Sequence, residues 1–303
     1  MQHPEDQKYF GKEHCIAIFN HRSDIDWLIG WLITARFNII GGSKIFGKRV
    51  LQHIPILGWI MKLSESMYLR RDWNYDQQII IDGLQKLTNY PDNYWNAILL
   101  YPEGTRFTEE KYKASVEVAK QKGLPPMKHL LFPRTKGFVQ TMQCVKGKIP
   151  AIYDFTLGFR SDGAAPTLMN VILGKPCRLE IYARRIPIDT VPTHSEEACA
   201  NWLIKLMQEK DDFYDNFVQN GGHYSIGQEV TLPQHPYDLL LWCMFFLCLT
   251  VPAIKYLLDL ISMGSMTVML VLATVLVVGI LGFRAMINMS VTEKGSSYGK
   301  KQQ

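Results

Sequence analysis

The segment "IFNHRSDIDWLIGW", residues 18–31, sets an imidazole and two carboxylates, His21, Asp24 and Asp26, directly after an apolar run. Were His21 and Asp26 on one helix, five steps of about 100° would leave them about 140° apart and out of reach. With His21 in the turn after a strand and Asp26 in the first turn of the next helix, the carboxylate can reach back to Nδ1–H. That contact fixes the tautomer, leaves Nε2 as a base that works near neutrality, and stabilises the imidazolium formed on proton transfer. The simpler alternative is that Asp24 and Asp26 only favour a helix N-terminus, with Ser23 or Asp24 as its cap.

A second group follows in "LLYPEGTRF", residues 99–107. Gly104 lets backbone approach a ligand closely, Thr105 can donate to anionic oxygens, and Arg106 presents a planar fork suited to phosphate. Glu103 completes the group. Taken alone, the segment also reads as a surface turn closed by a Glu103–Arg106 ion pair.

These residues need a scaffold, and the pattern upstream of residue 236 supplies one. Short apolar runs predict strands over residues 15–19, 67–69, 97–101, 129–132, 149–155 and 178–182. Helices are predicted over residues 24–37, 75–88, 109–122 and 195–218, the last with Ser195 as N-cap and Gly221 as stop. Strands alternating with helices give an α/β sheet covered on both faces, and such sheets bind ligands at the carboxyl ends of their strands. Both polar groups stand at such ends.

Composition narrows the chemistry. The 303 residues are 47% hydrophobic with a net charge of +5, enough chain for one sizeable core plus an appendage. Like charges do not form long blocks, and Lys/Arg tracts are not interleaved with aromatics. That argues against a nucleic-acid partner and leaves an anionic membrane surface or a phosphorylated substrate. The six cysteines lack a C-x-x-C pair and the eight histidines lack metal-ligand spacing, so no metal and no disulfide framework is expected.

The C-terminal part changes character. Residues 239–254 and 260–283 are uncharged, against the roughly 20 residues a helix needs to cross a bilayer. The second reads as a span. The first is short and contains Pro252, so it reads either as a span with Trp242 and Tyr256 at the interface or as an interfacial or re-entrant helix. Residues 50–63, "VLQHIPILGWIMKL", read either as a core helix or as a segment dipping into the bilayer. Residues 1–13 are polar and charged, so no signal peptide is expected. Residues 295–299 formally match G-x-S-x-G but lack the strand and helix of a nucleophile elbow.

Asn20-His21-(x)4-Asp26, followed by Pro102-Glu103-Gly104-Thr105-Arg106, resembles the glycerophosphate and lysophospholipid acyltransferase family. "MYLRR", residues 67–71, resembles its second motif and puts Arg71 at the phosphate-binding position, with Arg70 where many relatives have Asp. "KIPAIYDFT", residues 148–156, resembles the fourth motif. "FPRTKGF", residues 132–138, and "HRSDIDWLIGW" are similar to the endoplasmic-reticulum branch of 1-acylglycerol-3-phosphate O-acyltransferases of plants and animals. That branch usually carries hydrophobic spans ahead of the His motif, so such spans are expected either upstream of this chain or replaced by the C-terminal ones.

The resemblance implies acyl transfer from acyl-CoA to the free sn-2 hydroxyl of lysophosphatidic acid, giving phosphatidic acid. It makes His21 the general base, oriented by Asp26, and assigns Arg71, Glu103, Gly104, Thr105 and Arg106 to the acceptor. Acyl-CoA is a co-substrate, and no cofactor or metal is implied. Alternatives are an acyltransferase for another lysophospholipid, such as lysophosphatidylinositol, or a catalytically inactive lipid-binding membrane protein. The expected organisation is an acyltransferase domain over residues 1–230, a transmembrane helical hairpin over 236–288, and a short basic cytosolic tail over 289–303. The expected location is the endoplasmic-reticulum membrane with the catalytic domain and C-terminus cytosolic, and Lys300-Lys301-Gln302-Gln303 resembles a dilysine retrieval signal.

Overall fold

The structure, a computed structural model, describes residues 1–54, 57–87, 89–91 and 93–291, with side chains as far as Ala285. They fall into two compact units, the first running to Thr231 and the second beginning at Leu232.

Among the described residues the first unit holds a six-stranded sheet of order β3-β2-β4-β1-β5-β6. Its strands are β1 (Cys15–Phe19), β2 (Ser43–Lys48), β3 (Met67–Leu69), β4 (Ala97–Leu100), β5 (Ala151–Phe159) and β6 (Leu179–Pro187). The first five are mutually parallel where they pair, and β6 runs antiparallel to β5 at the edge. The helices are α1 (Asp26–Arg36), α2 (Leu57–Leu63), α3 (Trp73–Leu87), α4 (Glu109–Gln121), α5 (Thr135–Val145), α6 (Leu168–Ile172) and α7 (Glu196–Gln219).

Period-2 alternation assigns each strand residue to a face. Ile16, Ile18, Ile98 and Ile152 pack against Leu84 of α3, Met142 of α5, and Leu203 and Met207 of α7. Ala17, Phe19, Leu99 and Tyr153 meet Phe10 and the Ile29 and Ile33 side chains of α1. Because both faces are covered, β1 and β4 are apolar throughout and buried throughout. Gly30 lets α1 lie close on the sheet, since a Cβ there would meet Leu99 Cδ2 at 2.5 Å.

Three differences from the sequence reading have local causes. Residues 43–48 form a strand that Lys44 and Lys48 obscure; Lys44 is buried, donates to the Gly41 carbonyl at 3.0 Å and lies over the Tyr90 and Tyr94 rings. Residues 135–145 form α5 despite Gly137, because Phe138, Met142 and Val145 lie on one face and pack into the core. Residues 129–132 are not a strand: side chains, not a neighbouring strand, take their amides. Asp211 accepts from Lys128, His129 and Leu130, Glu103 from Leu131, and Ser115 from Phe132, at 2.6–3.0 Å.

The second unit contains α8 (Asp238–Ser262) and α9 (Met266–Val291), joined by a turn in which Gly264 has φ +64°. Both are long and apolar enough to cross a membrane. α8 continues through Pro252 and Lys255 to 25 residues, or ~37 Å at 1.5 Å per residue, which exceeds the ~30 Å hydrocarbon core. None of its residues is buried, so its apolar surface suits hydrocarbon surroundings rather than water. The end of the basic tail, the dilysine sequence and residues 295–299 lie outside the described residues.

Candidate active site

His21 follows β1 directly, and α1 begins at Asp26 without a side-chain cap from Ser23 or Asp24. The polar turn is organised by the Asp26 carboxylate instead. Its Oδ2 lies 2.9 Å from His21 Nδ1 and accepts the amides of Arg22 at 2.7 Å and Ser23 at 2.8 Å. Oδ1 accepts the Ser23 hydroxyl. Asp26 is 1% exposed and the His21 side chain 26%, so the carboxylate is sealed in while the ring keeps a face toward solvent. Asn20 anchors the turn: its amide group exchanges two hydrogen bonds with the Leu157 backbone, at 3.0 and 2.7 Å, and continues the β1–β5 ladder by one position. The Tyr101 ring packs 5.0 Å from the imidazole.

Glu103 lies at the carboxyl end of the neighbouring β4 and is fully buried. Its Oε1 accepts the His21 amide at 2.7 Å and its Oε2 the Leu131 amide at 3.0 Å. Further backbone bonds, from Phe107 N–H to the His21 carbonyl at 2.8 Å and from Arg134 N–H to the Pro102 carbonyl at 2.8 Å, tie together the loops after β1, β4 and Leu131. Burial pushes the Glu103 carboxyl up to about 8, against the two amides and Arg22, which pull it down. Glu103 therefore sits beneath the site as a brace between two loops. Thr105 is buried beside it.

The cations divide into two sets. Arg106 pairs with Asp24, not with Glu103. Arg71 lies at the end of β3 in the left-handed region, φ +68°, where Asp76 accepts the Arg70 and Arg71 amides at 2.8 and 2.7 Å and holds the turn. From there its Nη2 donates to the Gly104 carbonyl at 3.0 Å. Gly104 itself has φ +66°, and a Cβ there would meet Arg134 Cδ at 2.8 Å. Arg71 and Arg134 thus converge on one glycine. Among the described residues no three His, Cys, Asp or Glu side chains are placed to hold a metal ion together.

Comparison with known proteins assigns the sequence to a family. Residues 3–157 match the family described as Acyltransferase, and residues 170–245 match the one described as Acyltransferase C-terminus. The 1-acyl-sn-glycerol-3-phosphate acyltransferase delta of Bos taurus is 39% identical over 290 residues, 96% of this chain and 75% of that protein. The gamma protein of Mus musculus is 39% identical over 294 residues, 97% and 77% of the two chains. The chain belongs to the 1-acylglycerol-3-phosphate acyltransferase family.

In this acyltransferase the site also depends on residues outside the two motifs. Lys210 of α7 is fully buried, donates to the Phe155 carbonyl at 2.7 Å and the Ile18 carbonyl at 3.4 Å, and pairs with Asp154. It thereby crosslinks the carboxyl-terminal part of β1, the strand that leads into His21, to the middle of β5. Asp211, its neighbour, shapes the 128–130 loop as described. Arg22 donates to the His129 carbonyl and stacks on the Phe107 and Tyr214 rings, 4.4 and 4.8 Å from their centroids. The sequence does carry a signal for Lys210, since residues 203, 207, 210, 214 and 217 form the apolar stripe of α7. A lysine on such a stripe is a buried charge.

Proposed function

We propose that this acyltransferase moves an acyl chain from acyl-CoA to the sn-2 hydroxyl of lysophosphatidic acid, giving phosphatidic acid. The observation that carries the reading is the 2.9 Å contact between His21 Nδ1 and the sealed carboxylate of Asp26. With Nδ1–H donated to Asp26, Nε2 is the nitrogen that receives the acceptor's hydroxyl proton. The hydroxyl oxygen bonds to the thioester carbonyl carbon, the C–S bond breaks, and the departing CoA thiolate takes up the proton. A thiolate leaves readily, so one base suffices and no acyl-enzyme is needed. Cys15 stands at the amino end of β1, away from His21, and burial pushes its thiol up, so it is not a nucleophile for this site.

Arg71 and Arg106, on either side of the turn that Gly104 and Thr105 form, bind the acceptor's phosphate and hold its hydroxyl near the thioester, where positioning contributes several kcal/mol. Asp24 orients the Arg106 fork, and Glu103 holds the loop. The relatives' names support lysophosphatidate as acceptor. Two helices long and apolar enough to cross a membrane support action at a bilayer, and we propose an endoplasmic-reticulum location with the catalytic domain on the cytosolic side, where acyl-CoA is available.

The test uses membranes containing the full chain, labelled acyl-CoA, and a panel of lysophosphatidate, lysophosphatidylinositol and lysophosphatidylcholine. Labelled phosphatidic acid as the main product is expected. Preference for lysophosphatidylinositol would move the acceptor assignment, and no transfer to any acceptor would favour a lipid-binding role.

A further inference from the structure

Gly104 is the meeting point of two guanidinium-bearing side chains from separate segments. Arg71 reaches its carbonyl from the end of β3, at 3.0 Å. Arg134 lies over its Cα side, with Cδ and Nε 2.8 and 3.2 Å from where a Cβ would stand. Arg134 is held there from its own backbone, because its amide donates to Pro102, two residues before Gly104. The two charges feel each other: desolvation first, and then Arg134, lower Arg71 to about 10, against the opposing pull of Asp76. At the end of β2, Lys48 is lowered by its own desolvation, then by Arg71 and Lys111. Like charges gathered at the carboxyl ends of adjacent parallel strands repel one another, and a bound anion relieves that repulsion.

We propose that Arg134 binds the acceptor headgroup, forming with Arg71 a two-guanidinium cradle over Gly104 that selects a phosphomonoester over a phosphodiester. A phosphomonoester carries about −1.5 to −2 charges near pH 7 and three terminal oxygens, enough to accept from two forks at once. A phosphodiester has a single charge and two such oxygens, and its second substituent occupies the place of the third. Glycine suits 104 because its φ of +66° is strained for other residues and because a side chain there would push Arg134 aside. This inference rests on the acyltransferase reading above and adds to it a residue outside the His and Glu-Gly-Thr-Arg motifs that decides acceptor class.

The experiment compares wild type, Arg134→Ala, Arg134→Lys and Arg134→Gln, each as the full chain in detergent. Initial rates are measured over a range of lysophosphatidate and, separately, of lysophosphatidylinositol. Calorimetric titration with glycerol 3-phosphate is run in parallel. Expected for Arg134→Ala is a KM for lysophosphatidate raised at least tenfold with kcat changed less than threefold. The preference for lysophosphatidate over lysophosphatidylinositol should fall by a similar factor. Lys should restore part of the loss because it keeps the charge but not the fork. Glycerol 3-phosphate binding should weaken at least tenfold in the Ala and Gln variants. An unchanged KM, preference and binding would overturn the proposal. So would equal losses toward both acceptors with a lowered melting temperature, which marks a structural arginine. If Arg134→Ala does not fold, Gln and Lys give the same readouts. A wild type that transfers to no acceptor removes the parent reading, and the titration still decides whether Arg134 binds the phosphate.

Discussion

His21 and Asp26 are joined by a sealed carboxylate aimed at one nitrogen of a partly exposed ring, the arrangement the proposed base mechanism needs. Replacing His21 with Ala should lower kcat by about 10²- to 10⁴-fold, the range of a single general base, with the melting temperature little changed. Asp26→Asn should cost at least about 10²-fold through the wrong tautomer, and also some stability, because two backbone amides share that carboxylate. Cys15→Ser should keep most activity. Steady-state rates on lysophosphatidate check all three, and normal turnover by His21→Ala would exclude the base mechanism. Glu103 behaves differently, since its carboxyl is raised from the ordinary 4.5 to about 8. A carboxyl raised on folding binds its proton more tightly in the folded state, so its contribution is complete below about pH 4.5 and lost as pH rises through 8. Between those limits wild-type stability should fall relative to Glu103→Gln. The variant itself should be about 1–3 kcal/mol less stable at low pH, because the Gln amide cannot accept from one of the two buried N–H groups. Denaturant melts of both proteins from pH 5 to pH 9 measure the difference.

At the scale of the element, the segment at 128–132 is the instructive case. Its amides are met by Asp211, Glu103 and Ser115 from three other parts of the chain, and its apolar side chains, Leu130 and Phe132, are buried. Asp211→Ala would strand three amides together, at about 1–3 kcal/mol for each that stays buried. The segment should therefore shift, lowering both stability and kcat, with the backbone amides of residues 128–130 exchanging faster with deuterium. The helix α2 presents the opposite situation. Trp59 is 64% and Leu63 84% exposed while Gly58 and Met61 face inward and Met61 joins the core, so the described part is a helix with one face on the core and one outside it. Leu63→Glu should change stability by no more than about 0.5 kcal/mol, as at other surface sites. If this edge dips into lipid, the same variant should use vesicle-borne acceptor more slowly than detergent-dispersed acceptor. Rates in the two presentations, set beside a melt, separate these outcomes.

At the scale of the whole molecule, two crossings return a chain to its starting side. If α8 and α9 both cross, the unit that ends at Thr231 and whatever follows residue 291 share one face of the membrane. A tag at the C-terminus of the protein in sealed microsomes should therefore be digested by added protease together with the catalytic unit. A protected tag beside a digested catalytic unit would mean that α8 lies in the interface instead of crossing.

The contact between His21 and Asp26 was legible because its spacing is local: the two are close in sequence, and the turn between a strand and a helix leaves few ways to arrange them. The two long apolar helices were legible because the absence of charge over a bilayer's width needs no partner to be recognised. Alternation of short apolar runs with helical patterns announced the α/β class, but β2 was hidden by two lysines and α5 by its glycine. Both depend on what lies across from them: Tyr90 and Tyr94 over Lys44, and the core beneath Phe138 and Met142. The same holds for the site's cations. Sequence order joins Glu103 to Arg106, whereas folding gives Arg106 to Asp24 and brings Arg71 and Arg134 to Gly104. Pairings between residues tens of positions apart are set by strand order and by which carboxylates burial leaves within reach, and those are properties of the closed fold, not of any segment in it.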